Sequence, residues 1–458
     1  MSGKENGNTK MNPYSVPTKQ EKTAMLDAIG VKSIDELFKD VPSHLYLDSC
    51  TQIPKGMSEY EAIKQLESLA SMNIQGVSYL GCGSYDRIIP AAVTHLSSLP
   101  TFLTSYTPYQ PEISQGMLQA TFEYQTMICE LTGMDVSNAS LYDGHTAASE
   151  AVVMARNAKR KGNVLLVSST IHPNTLQVLQ THFSQSDLII KMIPEHHGVI
   201  ALDTLKEMMS DEVVGVLVQT PNILGCIEDY TGFAACIHAY KAKFIISSDP
   251  IALGIIPSQG DWGADIAIGD IQPLGIASCF GGPSAGYIAV HEKMMRKLPG
   301  RIVGQSVDTH GQRAFVLTLQ AREQHIKRGR ATSNICSNQA QTALTSAIYM
   351  SLVGWNGIRE AAQQSLSKAH YLCDALKMMD GISIRDDAPY LGEFTLDFTS
   401  VEPAKKFLAA MRAHGIFAGV HLGDLSHEFD GLVTVSVTEK RTKDELDTYI
   451  ASAKEVLS

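Results

Sequence analysis

The chain has no apolar run long enough to span a bilayer and no Cys-x-x-Cys pair, and it is short of basic charge. The first absence argues against a membrane-spanning helix. The second leaves no signature of a zinc knuckle or redox dithiol, although cysteines stand at 50, 82, 129, 226, 236, 279, 336 and 373. Several lie in apolar context, as Cys129 does in Thr126-Met-Ile-Cys-Glu-Leu131, where a thiol behaves as a small hydrophobe. With 37 Lys and Arg against 48 Asp and Glu the formal charge is -11, which argues against nucleic acid or an anionic membrane as the main partner. The amino-terminal stretch Met1–Ser15 is polar and lacks a signal-peptide core, so a cytoplasmic protein is expected. The most consequential absence is local. No lysine occurs between Lys243 and Lys293.

That interval holds the stretch around which the chain is organised. Lys243-Phe-Ile-Ile-Ser-Ser-Asp249 reads as a buried strand delivering a carboxylate to its end. A second short strand ends near Asp270, the turn Phe280-Gly-Gly-Pro-Ser-Ala-Gly286 follows, and Tyr287-Ile-Ala-Val290 is another strand. Carboxylate, strand, glycine turn and strand is how pyridoxal-phosphate enzymes of the aspartate-aminotransferase type build their cofactor floor. There the acid pairs with the ring nitrogen and a lysine holds the aldehyde as a Schiff base. Here the acid is present and the lysine is not.

Length (458 residues) calls for two or three domains. Helices are expected over Lys19–Ile29, ended by Gly30, over Ser33–Phe38 with Ser33 as cap, and from Ser58, with Glu61 as its capping-box partner, to about Met72. Residues 79–90 and 104–116, dense in Tyr, Gly and Pro, read as ordered loops, either site-bearing or packed on the body. Helices follow over Gln115–Leu131, closed by Gly133, and from Asp143 to about Lys161. The Gly144-His-Thr-Ala start of the latter suits either a phosphate on free amides or a plain capped helix. Apolar runs at 164–168, 188–192, 213–219, 244–247, 266–268 and 287–290 alternate with helical segments near 174–182, 203–210 and 231–241. This pattern predicts a mostly parallel sheet covered on both faces. Helices at 338–353 and 359–379, strands at 393–398 and 432–437, and helices at 402–414 and 442–456 complete a smaller domain. The expected fold is α/β, a type I pyridoxal-phosphate transferase-like large domain plus a smaller α+β C-terminal domain. The domains divide as residues 1–100 (arm and helical or loop segment), 101–330 (large domain) and 331–458 (bridging helix and small domain).

Longer blocks carry a family resemblance: Tyr106-Thr-Pro-Tyr-Gln-Pro-Glu-Ile-Ser-Gln-Gly116, Phe122-Glu-Tyr-Gln-Thr-Met-Ile-Cys-Glu-Leu-Thr-Gly133, Asn138-Ala-Ser-Leu-Tyr-Asp-Gly144, Leu317-Thr-Leu-Gln-Ala-Arg-Glu-Gln-His-Ile326 and Ala331-Thr-Ser-Asn-Ile-Cys-Ser-Asn-Gln339. From about Met25 onward the chain resembles the glycine decarboxylase, or P-protein, family of the glycine cleavage system, in the amino-terminal branch of its split form. The resemblance implies a subunit that binds no cofactor covalently. It also implies a homologous subunit 2 carrying pyridoxal phosphate on its lysine, an α2β2 heterotetramer, and glycine and lipoylated H-protein as substrates. Gln272 falls where subunit 2 has its lysine, His172 where the ring-stacking histidine belongs and Asp249 where the pyridine acid belongs. All three are then vestigial. Tyr106, Tyr109, Gln110 and Glu112 are the implied contributors to catalysis across the interface. His145 departs from the alanine common in the family.

Other readings stand beside these. The chain could be a structural or regulatory partner of subunit 2 with no part in the chemistry. His172 reads also as a structural histidine. Arg322, His325, Lys327, Arg328 and Arg330 read equally as a phosphate-facing or acidic-partner stripe and as a solvated ion-pair cluster.

Overall fold

The computed structural model describes residues 17–46, 54–159, 161–279 and 282–458. Residues 1–16 of the expected arm and Phe280 and Gly281 of the glycine-rich turn lie outside the described residues. The chain divides into two units, one ending at Ile74 and the other running from Gln75 to Ser458. No helix among the described residues is long and apolar enough to cross a membrane.

In the first unit, Thr18 and Glu21 form a reciprocal capping box on the helix Lys19–Ile29, which stops at Gly30 with φ 82°. Ser58 and Glu61 do the same for Glu59–Ala70. The helix expected from Ser33 is instead one 3-10 turn, Asp35–Phe38, with no side-chain cap. Pro42 limits extension by disfavouring the α conformation at Val41. No residue of either α-helix is buried. Ile63, Leu66 and Leu69 lie exposed at three-residue spacing along the second, forming one apolar stripe.

The second unit is built on a seven-stranded sheet. Its order is Val136–Ser137, Gly286–Val290, Ile266–Asp270, Lys243–Ser247, Val213–Gln219, Val164–Ser168, Ile189–Ile193. The last five are mutually parallel, and Gly286–Val290 runs antiparallel to both neighbours. Successive residues of each strand feed opposite cores, as the two-residue period requires. Leu166, Val216, Phe244 and Ile246 pack on one face with Tyr124 and Ile128 of the helix Gln115–Thr132. Leu165, Val167, Leu217 and Ile245 pack on the other with Ala147 and Val152 of the helix Gly144–Ala158. Burial on both faces explains why these strands read as unbroken apolar runs.

The two helices expected at 338–353 and 359–379 form one run, Ala340–Leu376, broken at Gly354 where φ is 58°. Beyond it, four antiparallel strands, including Glu393–Asp397 and Leu432–Ser436, back onto the helices Val401–Ala413 and Lys443–Leu457 through Phe394, Phe407, Val433 and Tyr449. A hairpin of Ile302–Val307 and Arg313–Thr318 was not anticipated. Its outer end, Gln305–Val307 with Arg313, is exposed, which blurs the alternation. The turn signal was present, since Asp308 accepts from the His310 and Gln312 amides.

Gly286 fixes where the Gly144–Ala158 helix starts. A Cβ there would lie 2.2 Å from the Asp143 carbonyl oxygen and 3.2 Å from the Ala147 methyl. Gly286→Ala is expected to lower stability by about 1–3 kcal/mol, the usual range for overpacking. The shift in urea midpoint at constant slope measures it.

Candidate functional site

Residues that follow the carboxyl ends of the parallel strands converge on a cleft of about 410 Å³, the usual ligand position in open α/β sheets. His172 follows Val164–Ser168, Asp249 follows Lys243–Ser247, and Gln272 follows Ile266–Asp270. The structure therefore brings all three together in one lining, as the sequence suggested. Four carboxylates, Asp143, Asp249, Asp270 and Glu393, share that lining, and among its described residues there is neither lysine nor arginine.

The start of the Gly144–Ala158 helix faces this cleft, and the Gly144 and Thr146 amides of its first turn are already engaged. Asp270 accepts from the Gly144 N–H at 3.0 Å, and Asp143 accepts from the Thr146 N–H at 2.7 Å through its side chain and from Ala147 through its carbonyl. Asp270 is also held by the Gln272 N–H and the Ser284 hydroxyl. Burial raises its pKa, and these donors oppose the rise. A helix N-terminus favours anions in general. Here the chain supplies its own.

Gln272 is buried and fully bonded. Its Oε1 accepts from the Tyr85 N–H at 2.9 Å, while its Nε2 donates to the carbonyls of Tyr85 and Ile276 at 3.0 and 2.7 Å. The side chain ties the 79–90 loop to the sheet instead of pointing a free group at a ligand. This was invisible in sequence, because the partners lie 187 residues apart.

His172 is neutral, held down to about 4 by burial and then by His145, whose ring lies 4.9 Å away. Its Nδ1 accepts from the Asn174 N–H at 3.1 Å, so the ring proton sits on Nε2 and donates to the Cys82 carbonyl at 3.1 Å. The Cys82 thiol lies 3.4 Å from that same nitrogen. It has no base there, and burial followed by Glu393 raises its pKa well above the usual thiol value. Both ring nitrogens of His172 are thus bonded within the chain.

Asp249 meets a cation that sequence reasoning missed. Arg87 reaches it at 3.3 Å through Nη2 and Glu439 at 2.7 Å through Nη1. Burial opposes the guanidinium charge, yet Asp249 and Glu439 outweigh it and raise the Arg87 pKa. Burial likewise raises Asp249 against the lowering pull of Arg87. Glu393 is the other missed group. It accepts from the Cys82 N–H at 2.7 Å and the Tyr85 hydroxyl at 2.8 Å, and burial pushes its pKa up to about 7.

The Tyr106–Glu112 loop is elsewhere. None of Tyr106, Tyr109, Gln110 or Glu112 lines the cleft, and all four are exposed, Tyr106 at 86%. Tyr109 alone is anchored. Its hydroxyl accepts from Nη2 of the buried Arg301 at 2.9 Å, and the guanidinium lies 5.1 Å from the ring centre. Cys82 and Tyr85, of the earlier loop, do line the cleft.

Glu393 carries a pH dependence. Its folded pKa lies above the ordinary value of 4.5, so the folded state binds more protons between the two values and stability falls as pH rises through them. Glu393→Gln mimics the protonated form. Wild type is expected to lose stability relative to Glu393→Gln between about pH 4.5 and about pH 7, with a constant difference above that window. Urea unfolding of both proteins across the range measures this. A pH-independent difference would show that Glu393 does not titrate there.

Comparison with known proteins agrees with this architecture. The family model for glycine cleavage system P-protein matches residues 13–452. A probable glycine dehydrogenase (decarboxylating) subunit 1 from Halalkalibacterium halodurans is 45% identical over 446 residues, 97% of this chain and 98% of that one. Its counterpart from Geobacillus thermodenitrificans is 45% identical over 440 residues, 95% and 97% of the two chains. The crystal structure of glycine decarboxylase (P-protein) of the glycine cleavage system, in inhibitor-bound form, superposes with a TM-score of 0.89 at 37% identity, covering 97% of this chain and all of that one. An alanine–glyoxylate aminotransferase from Nostoc sp. shares the fold alone, at a TM-score of 0.62 and 15% identity over 90% of this chain and all of that one. With the family model spanning nearly the whole sequence and relatives at this identity, the chain belongs to the glycine cleavage system P-protein family.

Proposed function

We propose that this chain is the cofactor-free subunit of a split glycine decarboxylase. With a second subunit that carries pyridoxal phosphate it decarboxylates glycine and passes the aminomethyl group to the lipoyl arm of the H-protein. The observation that carries the reading is a cleft of the right fold whose residues do not fit the cofactor. No amine stands at its floor, and Gln272 has its amide saturated. Two of the amides suited to a phosphate, those of Thr146 and Gly144, are bonded to Asp143 and Asp270, and Asp249 is already paired with Arg87. A phosphate dianion would enter a lining of four carboxylates and no lysine or arginine among its described residues. The isolated chain is accordingly inactive.

Two surfaces support partnership. The exposed stripe of Ile63, Leu66 and Leu69 is apolar area that association removes from water. The Tyr106–Glu112 loop lies outside its own chain's cleft, leaving its phenols and carboxylate available to another subunit. Pro108 and Pro111 fix φ within it, and Arg301 holds Tyr109, so its groups are ordered before any substrate arrives. In this reading Tyr106, Tyr109, Gln110 and Glu112 orient donors and a carboxylate at the glycine or lipoyl entrance of the neighbouring cleft.

Glycine–bicarbonate exchange tests the reading, with subunit 2 and lipoylated H-protein each omitted in turn. Omission of this chain should abolish exchange. Tyr106→Phe, Tyr109→Phe or Glu112→Gln should lower exchange about tenfold or more in verified complexes, roughly 1.4 kcal/mol of transition-state stabilisation. Wild-type exchange in all three would confine the loop to packing and leave the chain a scaffold.

The apolar stripe makes a separate prediction. Ile63→Asp with Leu66→Asp should weaken association with subunit 2 by about tenfold or more, read by sedimentation. Unchanged association would remove the stripe from the interface.

A further inference from the structure

A second cavity lies at the other end of the Gly144–Ala158 helix from the carboxylate-lined cleft. Its lining includes Asn157, which is 13 positions beyond Gly144 and therefore about 20 Å along the helix. The cavity holds about 260 Å³ and is lined by Arg296, Lys297, Arg322 and Lys327 together with the hydroxyl residues Thr332 and Ser333. One carboxylate, Glu323, is also present. It lies 3.6 Å from His325, and none of the four cations forms an ion pair with a carboxylate among the described residues. In a chain of formal charge -11, this is a concentration of uncompensated positive charge.

Carbonyl contacts use part of this donor capacity. Lys297 donates to the Asn157 carbonyl at 3.0 Å, at the helix end where a cation is favoured. Arg322 donates through Nε to the Leu319 carbonyl at 3.0 Å and through Nη2 to that of Gly300 at 2.8 Å. Its remaining nitrogen, Nη1, is buried and has no acceptor. A buried N–H left unmade costs about 1–3 kcal/mol, and more on a charged group. An anion seated in the adjoining cavity supplies that acceptor. Two guanidinium groups, two ammonium groups and the Thr332 hydroxyl suit a tetrahedral dianion, whose several oxygens accept from donors arriving in different directions, whereas the Ser333 hydroxyl is engaged by Glu150 and the Ile335 N–H.

We propose that this cavity is a binding site for a phosphate group, free or carried on a small organic monoester. The site is separate from the vestigial cofactor cleft and does not rest on the proposed function. It also accounts for part of the 322–330 stripe. Arg322 and Lys327 are cavity residues, whereas Arg328 and Arg330 do not line it.

Calorimetric titration of the full-length chain, in about 0.15 M salt to screen diffuse attraction, tests the proposal with inorganic phosphate and phenyl phosphate as separate ligands. One saturable site per chain is expected for at least one of them. Preference for inorganic phosphate assigns the free ion, and preference for phenyl phosphate assigns a monoester. Arg296→Gln with Lys327→Gln, both exposed and without a structural bond, should weaken binding about tenfold or more while leaving the unfolding midpoint in phosphate-free buffer unchanged. Arg322→Gln should abolish binding, and the exposed pair keeps the test decisive if that variant does not fold. Absence of saturable binding by either ligand, or equal affinity in wild type and the exposed double variant, overturns the proposal.

Discussion

The ion triad of Arg87, Asp249 and Glu439 is the constraint on which the cleft depends. Its members come from the 79–90 loop, the end of a central strand and the segment before the last helix. The Arg87 guanidinium also reaches the Ser365 hydroxyl on the long helical run at 3.4 Å. Glu439 accepts from the Ile88 N–H as well, so the loop backbone is fixed along with its side chain. Taking these charges out of water is costly, and a triad of this kind is weak ground for net stability. Removing one member is another matter, because it leaves an uncompensated buried charge at a cost of about 3–5 kcal/mol. The triad therefore specifies one arrangement of loop, sheet and small domain. With Arg87 in place, Tyr85 is positioned to donate to Glu393 and to bond Gln272, and the cleft wall closes on internal partners.

In the proposed reading, that closure sets this cleft apart from a working cofactor site of the same fold. The strand ends still deliver an acid, a histidine and a turn to the usual place. Each is nevertheless bonded within the chain, His172 by Asn174 and Cys82, Gln272 by Tyr85 and Ile276, and the Thr146 and Gly144 amides of the helix start by Asp143 and Asp270. A missing lysine alone would leave a cavity able to hold phosphate. The internal carboxylates go further, since they present negative charge where a phosphate would need amides.

Much of this was legible in the sequence wherever a local signal governs. The capping box at Ser58 and the glycine stops at Gly30 and Gly133 mark helix ends by local signals. The unbroken Val, Ile and Leu runs mark strands buried on both faces. The lysine-free interval is read directly from the sequence, and Gln272 within it lines the cleft. Non-local pairing was not legible. Arg87 stands 162 residues from Asp249 and 352 from Glu439, and nothing in Tyr85-Asp-Arg87 announces either. Ser33 carried a cap signature that Pro42 and a one-turn segment did not use. The segment 302–318 hid a hairpin because its exposed end lacks apolar alternation.

The central claim is that this chain's cleft does not hold pyridoxal phosphate although its fold belongs with proteins that do. The direct measurement is borohydride reduction of the purified full-length chain after incubation with pyridoxal phosphate, followed by mass spectrometry of its peptides. The account predicts no stoichiometric adduct on any peptide of the cleft, 244–292 included, and only scattered substoichiometric labelling of surface lysines. A single stoichiometric pyridoxyl-lysine bordering the cleft would contradict it.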